Sequence, residues 1–146
     1  MRIWKLISAV MVVAMLASVI GMGAAQGAVA PSPTPPTGPK VTALALPFAW
    51  VDTAFPVLVI VKNQADSAID DPQICIVVSA DCTIELPEND ECQEPWFGIK
   101  ANGYAFAIWF VECHAEVDQT IVATVIGQID GYIAKGSDSV EIELYD

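Results

Sequence analysis

Positive charge is scarce in this chain. It carries 6 Lys and Arg against 18 Asp and Glu, for a net charge of −12 and an isoelectric point near 4.1. Phosphate backbones and anionic membrane surfaces are bound by basic patches, so the composition argues against nucleic acid and against such membranes as partners. Histidine is nearly missing: His114 stands alone. No H-E-x-x-H and no G-x-S-x-G occurs, so the common hydrolase signatures are absent and nothing marks the chain as an enzyme. No C-x-x-C pair occurs either, and the spacings of 7, 10 and 21 between the four cysteines do not suit structural zinc. The D-x-D-x-D-G loop of calcium-binding hands is also lacking. Neither a metal nor a cofactor is expected. With 146 residues, one domain of ordinary size is allowed and a large multidomain architecture is not.

What is present begins with an address. Arg2 and Lys5 form a short basic region, and Leu6 to Ile20 is an uncharged apolar run. Gly21 to Ala30 supplies the small residues that a signal peptidase requires, so residues 1–30 read as a secretory signal forming a hydrophobic helix. Ala28-Val29-Ala30 fits the A-x-A rule, but Pro31 would follow the cut, which favours cleavage before Gln26. The rival is an uncleaved anchor. A membrane span needs about 20 apolar residues, and this run is at the short end. Loss of Arg2 and Lys5 leaves four lysines against the 18 acids, a net charge of −14. Residues 31–40 hold Pro31, Pro33, Pro35, Pro36 and Pro39, a polyproline spacer reaching about 30 Å.

From residue 41 to 146 the pattern is that of strands. Val41–Leu46, Phe55–Asn63, Gln73–Ala80, Tyr104–Cys113, Gln119–Ile126 and Ser137–Leu144 are rich in Val, Ile and aromatics and bounded by Pro, Gly, Asn or Asp. A further strand falls at Thr83–Leu86 or at Trp96–Lys100. Val57, Val59 and Val61 share one face by the two-residue period, as do Phe106, Ile108 and Phe110. Val140, Ile142 and Leu144 alternate with Glu141 and Glu143, the cleanest half-buried strand. Asn102-Gly103 is a turn signal, and Trp50 and Trp109 are core candidates by position. About seven short strands at this spacing predict an all-β, antiparallel sandwich.

The runs PKVTALALP, FPVLVIVKNQADSA, ICIVVSA, YAFAIWF, TIVATVIGQIDG and SDSVEIEL resemble the Ig-like domains of bacterial and archaeal surface proteins. Among these, the sequence is most similar to the cell-adhesion-related modules called CARDB, fibronectin III-like in build. Their hallmark resembles Val59-x-Val61-Lys62-Asn63-x-x-Asp66, a strand whose terminal Asn opens a turn. The resemblance covers roughly residues 39–145. It departs from the family at Ala65, where Gly is usual, and the Asn-rich acidic segment before the last strand is missing. It implies an Ig-like sandwich with an extracellular structural or adhesive role and no shared catalytic activity.

Four cysteines in an exported chain predict two disulfides. Cys75 near the start of one strand and Cys113 at the end of another lie at opposite ends of a sandwich. A strand of about eight residues spans roughly 26 Å, whereas a disulfide needs Cα atoms within about 7 Å. Pairing Cys82 with Cys113 and Cys75 with Cys92 fits if Thr83–Leu86 is the returning strand. Closing Cys82 on Cys92 would clip the acidic loop but leave the other two apart.

His114 follows Cys113 directly, and strand neighbours point to opposite faces, so the two do not form a nucleophile pair. The segment from Asp81 to Glu94 holds six acids and reads as a solvated face. Trp96 and Phe97 follow it, flanked by Glu91 and Glu94, and are candidates for contact with a sugar ring or a protein partner. The sequence thus predicts an exported cell-surface module acting by non-catalytic contact with an envelope component, another surface protein or a glycan. The alternative is a small carbohydrate-binding module using Trp96 and Phe97. Val41–Leu46, tethered by the Pro-rich spacer, is also a candidate for self-association by strand exchange.

Overall fold

The computed structural model describes residues 36–95 and 97–146. The signal at residues 1–30, the first half of the spacer and Trp96 lie outside the described residues. Those described form strands and loops only. The strands are β1 (Lys40–Ala45), β2 (Phe48–Trp50), β3 (Phe55–Lys62), β4 (Asp70–Val77), β5 (Cys82–Leu86), β6 (Cys92–Gln93), β7 (Tyr104–Cys113), β8 (Gln119–Ile129) and β9 (Tyr132–Tyr145). They make two sheets, ordered β1-β3-β7-β5 and β2-β9-β8-β4-β6. Every pairing is antiparallel except that of β2 with β9.

The core lies between the sheets and is built from alternate residues. Val57, Val59 and Val61 of β3 and Ala105, Ala107, Trp109 and Val111 of β7 face Ile74 and Ile76 of β4, Ile121, Ala123 and Val125 of β8, and Ile142 and Leu144 of β9. Burying each larger aliphatic side chain contributes about 1.5–3 kcal/mol. Trp109 is fully buried, and its indole N–H donates to the Asp90 carbonyl at 2.9 Å. That bond moors the acidic loop between β5 and β6 on the core, helped by the Ile76 amide donating to the Glu91 carbonyl at 2.8 Å.

Two disulfides join Cys75 to Cys92 and Cys82 to Cys113. Each links residues directly opposite one another, in β4 and β6 and in β5 and β7, with Cα atoms 4.0 Å apart. Each therefore fastens an edge strand to its own sheet. Neither crosses the core.

Asn63, at the end of β3, is fully buried. Its Nδ2 donates to the carbonyls of Ser67 at 2.8 Å and of Ile99 and Lys100 at 3.1 Å, and its Oδ1 accepts from the Ala65 amide at 3.0 Å. The V-x-V-K-N motif is thus a structural hub tying the turn after β3 to the segment before β7.

Two sequence expectations change, and one alternative is resolved. Trp50 is not core: it is 56% exposed on β2, its ring centroid 6.1 Å from that of Tyr145. A three-residue edge strand has no period from which its facing can be read. Of the two alternatives for one strand, Thr83–Leu86 forms it as part of β5, and residues 97–100 hold only an isolated bridge from Ile99 to Ile69. The last two strands are longer than their hydrophobic pattern. They run to a two-residue turn, Asp130-Gly131, whose φ angles of 50° and 82° are those of a tight hairpin. Gly136 in this hairpin lets the Pro39 carbonyl approach β9 more closely than any Cβ would permit.

Candidate functional site

The middle outward rows of the four-stranded sheet are apolar apart from Thr42. The register sets them in rows: Thr42, Ile60 and Phe106; Leu44, Leu58 and Ile108; Pro56, Phe110 and Leu86. Phe106 is 65% exposed, and Leu44, Ile108 and Leu86 are also exposed. The sequence pattern placed Phe106, Ile108 and Phe110 on one face, and that face points to solvent while Trp109 points inward. The signal was the continuity of YAFAIWFV and FPVLVIV. A strand apolar at every position has something to cover on both sides. Each row is three strands wide, so by strand spacing and rise the face measures about 14 by 26 Å.

The ends of this face differ in charge. At one end Lys40, Lys62 and Tyr104 form the closing row, with Lys62 Nζ 5.6 Å from the centre of the Tyr104 ring. At the other, Glu112 stands opposite Thr83, and the Thr83 hydroxyl donates to Glu85 at 2.8 Å. His114 Nδ1 is 2.8 Å from Asp52 Oδ1 and 3.8 Å from Glu112 Oε1, with its side chain 45% exposed. The hydrogen bond to Asp52 raises the imidazole pKa above its usual value, opposed by some desolvation and aided by the charges of Asp52, Glu112 and Glu85. Asp52, Glu112 and His114 also place one ligand atom each within 4.8 Å of one another, and are the described residues most able to hold a metal ion. To ligate through Nδ1, His114 would first have to give up the proton that this nitrogen shares with Asp52.

The residues expected to bind are split by the fold. Phe97 is 82% exposed and, with Glu94, lines a concavity beside the open edge of β7, next to Tyr104, Phe106 and Lys100. Glu94 accepts from the Gln73 amide at 3.0 Å. Glu91 is exposed in the moored loop and does not line that concavity. Gln93 donates to the Ile108 carbonyl at 2.6 Å, capping β7 just where β5 stops covering it.

No family model and no curated protein sequence matches the chain. Solved structures do. The CARDB domain of a Pyrococcus furiosus protein, solved in complex with di-metal ions, superposes with a TM-score of 0.52 at 11% identity over 73% of this chain and 94% of its own. A fragment of Escherichia coli alpha-2-macroglobulin gives 0.56 at 13% identity, over 75% of this chain and 17% of its own. An ASH/PapD-like domain of a human protein gives 0.51 at 8% identity, over 84% of this chain and 96% of its own. At these identities the likeness is one of fold. These superpositions identify the fold as a CARDB-like, Ig-type β-sandwich.

Proposed function

We propose that the chain is an exported module that works by non-catalytic contact, and that the outer face of the four-stranded sheet makes the contact. The observation that carries this reading is the three-row apolar surface on a chain otherwise dominated by acids. Apolar patches of this extent on a water-facing surface mark interaction sites. The two disulfides favour an oxidising compartment, in keeping with the signal-like residues 1–30. Mass spectrometry of released protein tests export: the expected N-terminus is Gln26 or Pro31, with a mass lower by two hydrogens per bridge. Retention on cell-envelope preparations tests contact. Ile108→Asp is expected to abolish retention while leaving the unfolding curve in place, and retention unchanged in that variant would defeat the reading.

A second reading has its own support. Phe97 stands exposed beside Tyr104 and Phe106 along one concavity, and aromatic faces stack on sugar rings. Under this reading a glycan array identifies a ligand whose binding is lost in Phe97→Ala.

A further inference from the structure

We infer that the partner of the apolar face is a second copy of this chain. The two sheets pack face to face, with the strands of one copy running opposite to those of the other. The inference rests on the reading that this face is the working surface.

A symmetric dimer needs one patch that is complementary to itself. This face is such a patch, because an uncharged centre separates a lysine end from an acidic end. Along β7 the two ends are Tyr104, beside Lys62, and Glu112. The row of Leu44, Leu58 and Ile108 lies midway between them. A two-fold axis along that row stacks β3 on β3 and β7 on β7 with their directions reversed. It carries Lys62 over the end where the other copy holds Asp52 and Glu112. An axis along the strands would instead set lysine on lysine and carboxylate on carboxylate.

Charge makes the choice of face specific. Four lysines remain after residue 30, and this face holds two of them, Lys40 and Lys62. Elsewhere the acidic surface keeps copies apart. The footprint of about 370 Å² from strand spacing and rise, increased by side-chain relief, stays below the ~800 Å² per partner of a standard interface and suits a weak, concentration-dependent dimer. Two twisted sheets stack at about 30° to one another, so the inner rows mesh and the charged ends remain at the rim. The rim pairs set orientation more than affinity.

Sedimentation velocity on protein expressed from the complete sequence and purified as released, from about 1 to 200 µM and at about 0.15 M salt, reads the assembly directly. A concentration-dependent dimer is expected. Ile108→Asp, an exposed position, should give a monomer whose circular dichroism matches the parent and whose thermal unfolding matches it at dilutions where the parent is also monomeric. Lys62→Glu should weaken the dimer about tenfold, and adding Glu112→Lys should restore most of that loss, as coupled charge pairs do. A parent monomeric at every concentration overturns the dimer, as does an Ile108→Asp variant that still dimerises. If the parent is monomeric and Ile108→Asp still loses envelope retention, the face belongs to another partner and only the self-association falls. If retention is also unchanged, the contact reading falls with it.

Discussion

The two outer faces of the sandwich differ in arrangement: the five-stranded face intersperses Phe48, Trp50, Val77, Ile126 and Tyr145 among polar residues, whereas the four-stranded face gathers its apolar residues in adjacent rows. On the five-stranded sheet, Thr120 stands opposite Glu141, Val122 opposite Ser139, Thr124 opposite Ser137 and Ile126 opposite Lys135. On the four-stranded sheet the corresponding rows hold Leu, Ile and Phe. Both inner faces are packed alike, so stability does not require the difference. What sets the four-stranded face apart is the concentration of its apolar residues in adjacent rows, and that concentration points to contact.

The disulfides offer the largest way to test the separateness of the two sheets. Closing 31 residues between Cys82 and Cys113 restrains the unfolded chain by about 4 kcal/mol, and closing 17 between Cys75 and Cys92 by about 3 kcal/mol. Replacing each pair by serine should lower the urea-unfolding free energy in that order. A reversed order would mean that the five-stranded sheet depends more on its stapled edge than the four-stranded one does. Next comes Asn63, whose side chain satisfies three carbonyls and one amide. Asn63→Ala leaves these without partners and should cost about 3 kcal/mol, read from the same unfolding curves.

The faces themselves are contrasted by a matched pair of surface variants. Ile108→Asp and Thr124→Asp should each change stability by less than about 1 kcal/mol. At dilutions where the protein is monomeric, only the first should reduce binding of a hydrophobic dye to the folded protein. Equal dye binding by both variants would erase the distinction between the faces.

The smallest expected effect is one of pH. Because the folded pKa of His114 is raised, its pairing with Asp52 contributes stability fully below the ordinary histidine value of 6.5. That contribution is lost as pH rises through the raised folded value. Proton NMR titration of the single imidazole should give a midpoint above 6.5, moving back toward it in Asp52→Asn. No movement would detach His114 from Asp52.

Much of this was legible in the residues. Tyr104–Cys113 reads as a strand with the bounds it has, and the returning strand after Cys82 sets Cys82 opposite Cys113. The pairing is the expected one but not for the expected reason: β4 runs Asp70–Val77, so Cys75 lies near its end rather than its start, and what parts it from Cys113 is that the two stand in different sheets. β2 and β6, of three and two residues, are too short to show a period. The first half of β9 is hidden because Lys135 and Gly136 interrupt its apolar pattern, although Asp130-Gly131 carried the turn signal. Periodicity shows which residues share a face. It does not show which face is covered, so Trp50 and Trp109 looked alike until β2 fell at the margin of its sheet. Phe97 and Glu94 meet at one concavity only because the chain turns back along the uncovered edge of β7.

One contact bears on how such domains behave when crowded. β1 is an outer strand, and the Ala43 amide donates across the gap between the sheets to Asp138 Oδ2 at 2.8 Å. A donor held by the molecule's own carboxylate is withdrawn from the template that a growing fibre would copy. Lateral zippering at this margin thus meets an occupied amide and a negative charge. Molecules brought close together are steered away from endless rows, and toward contacts that close on themselves.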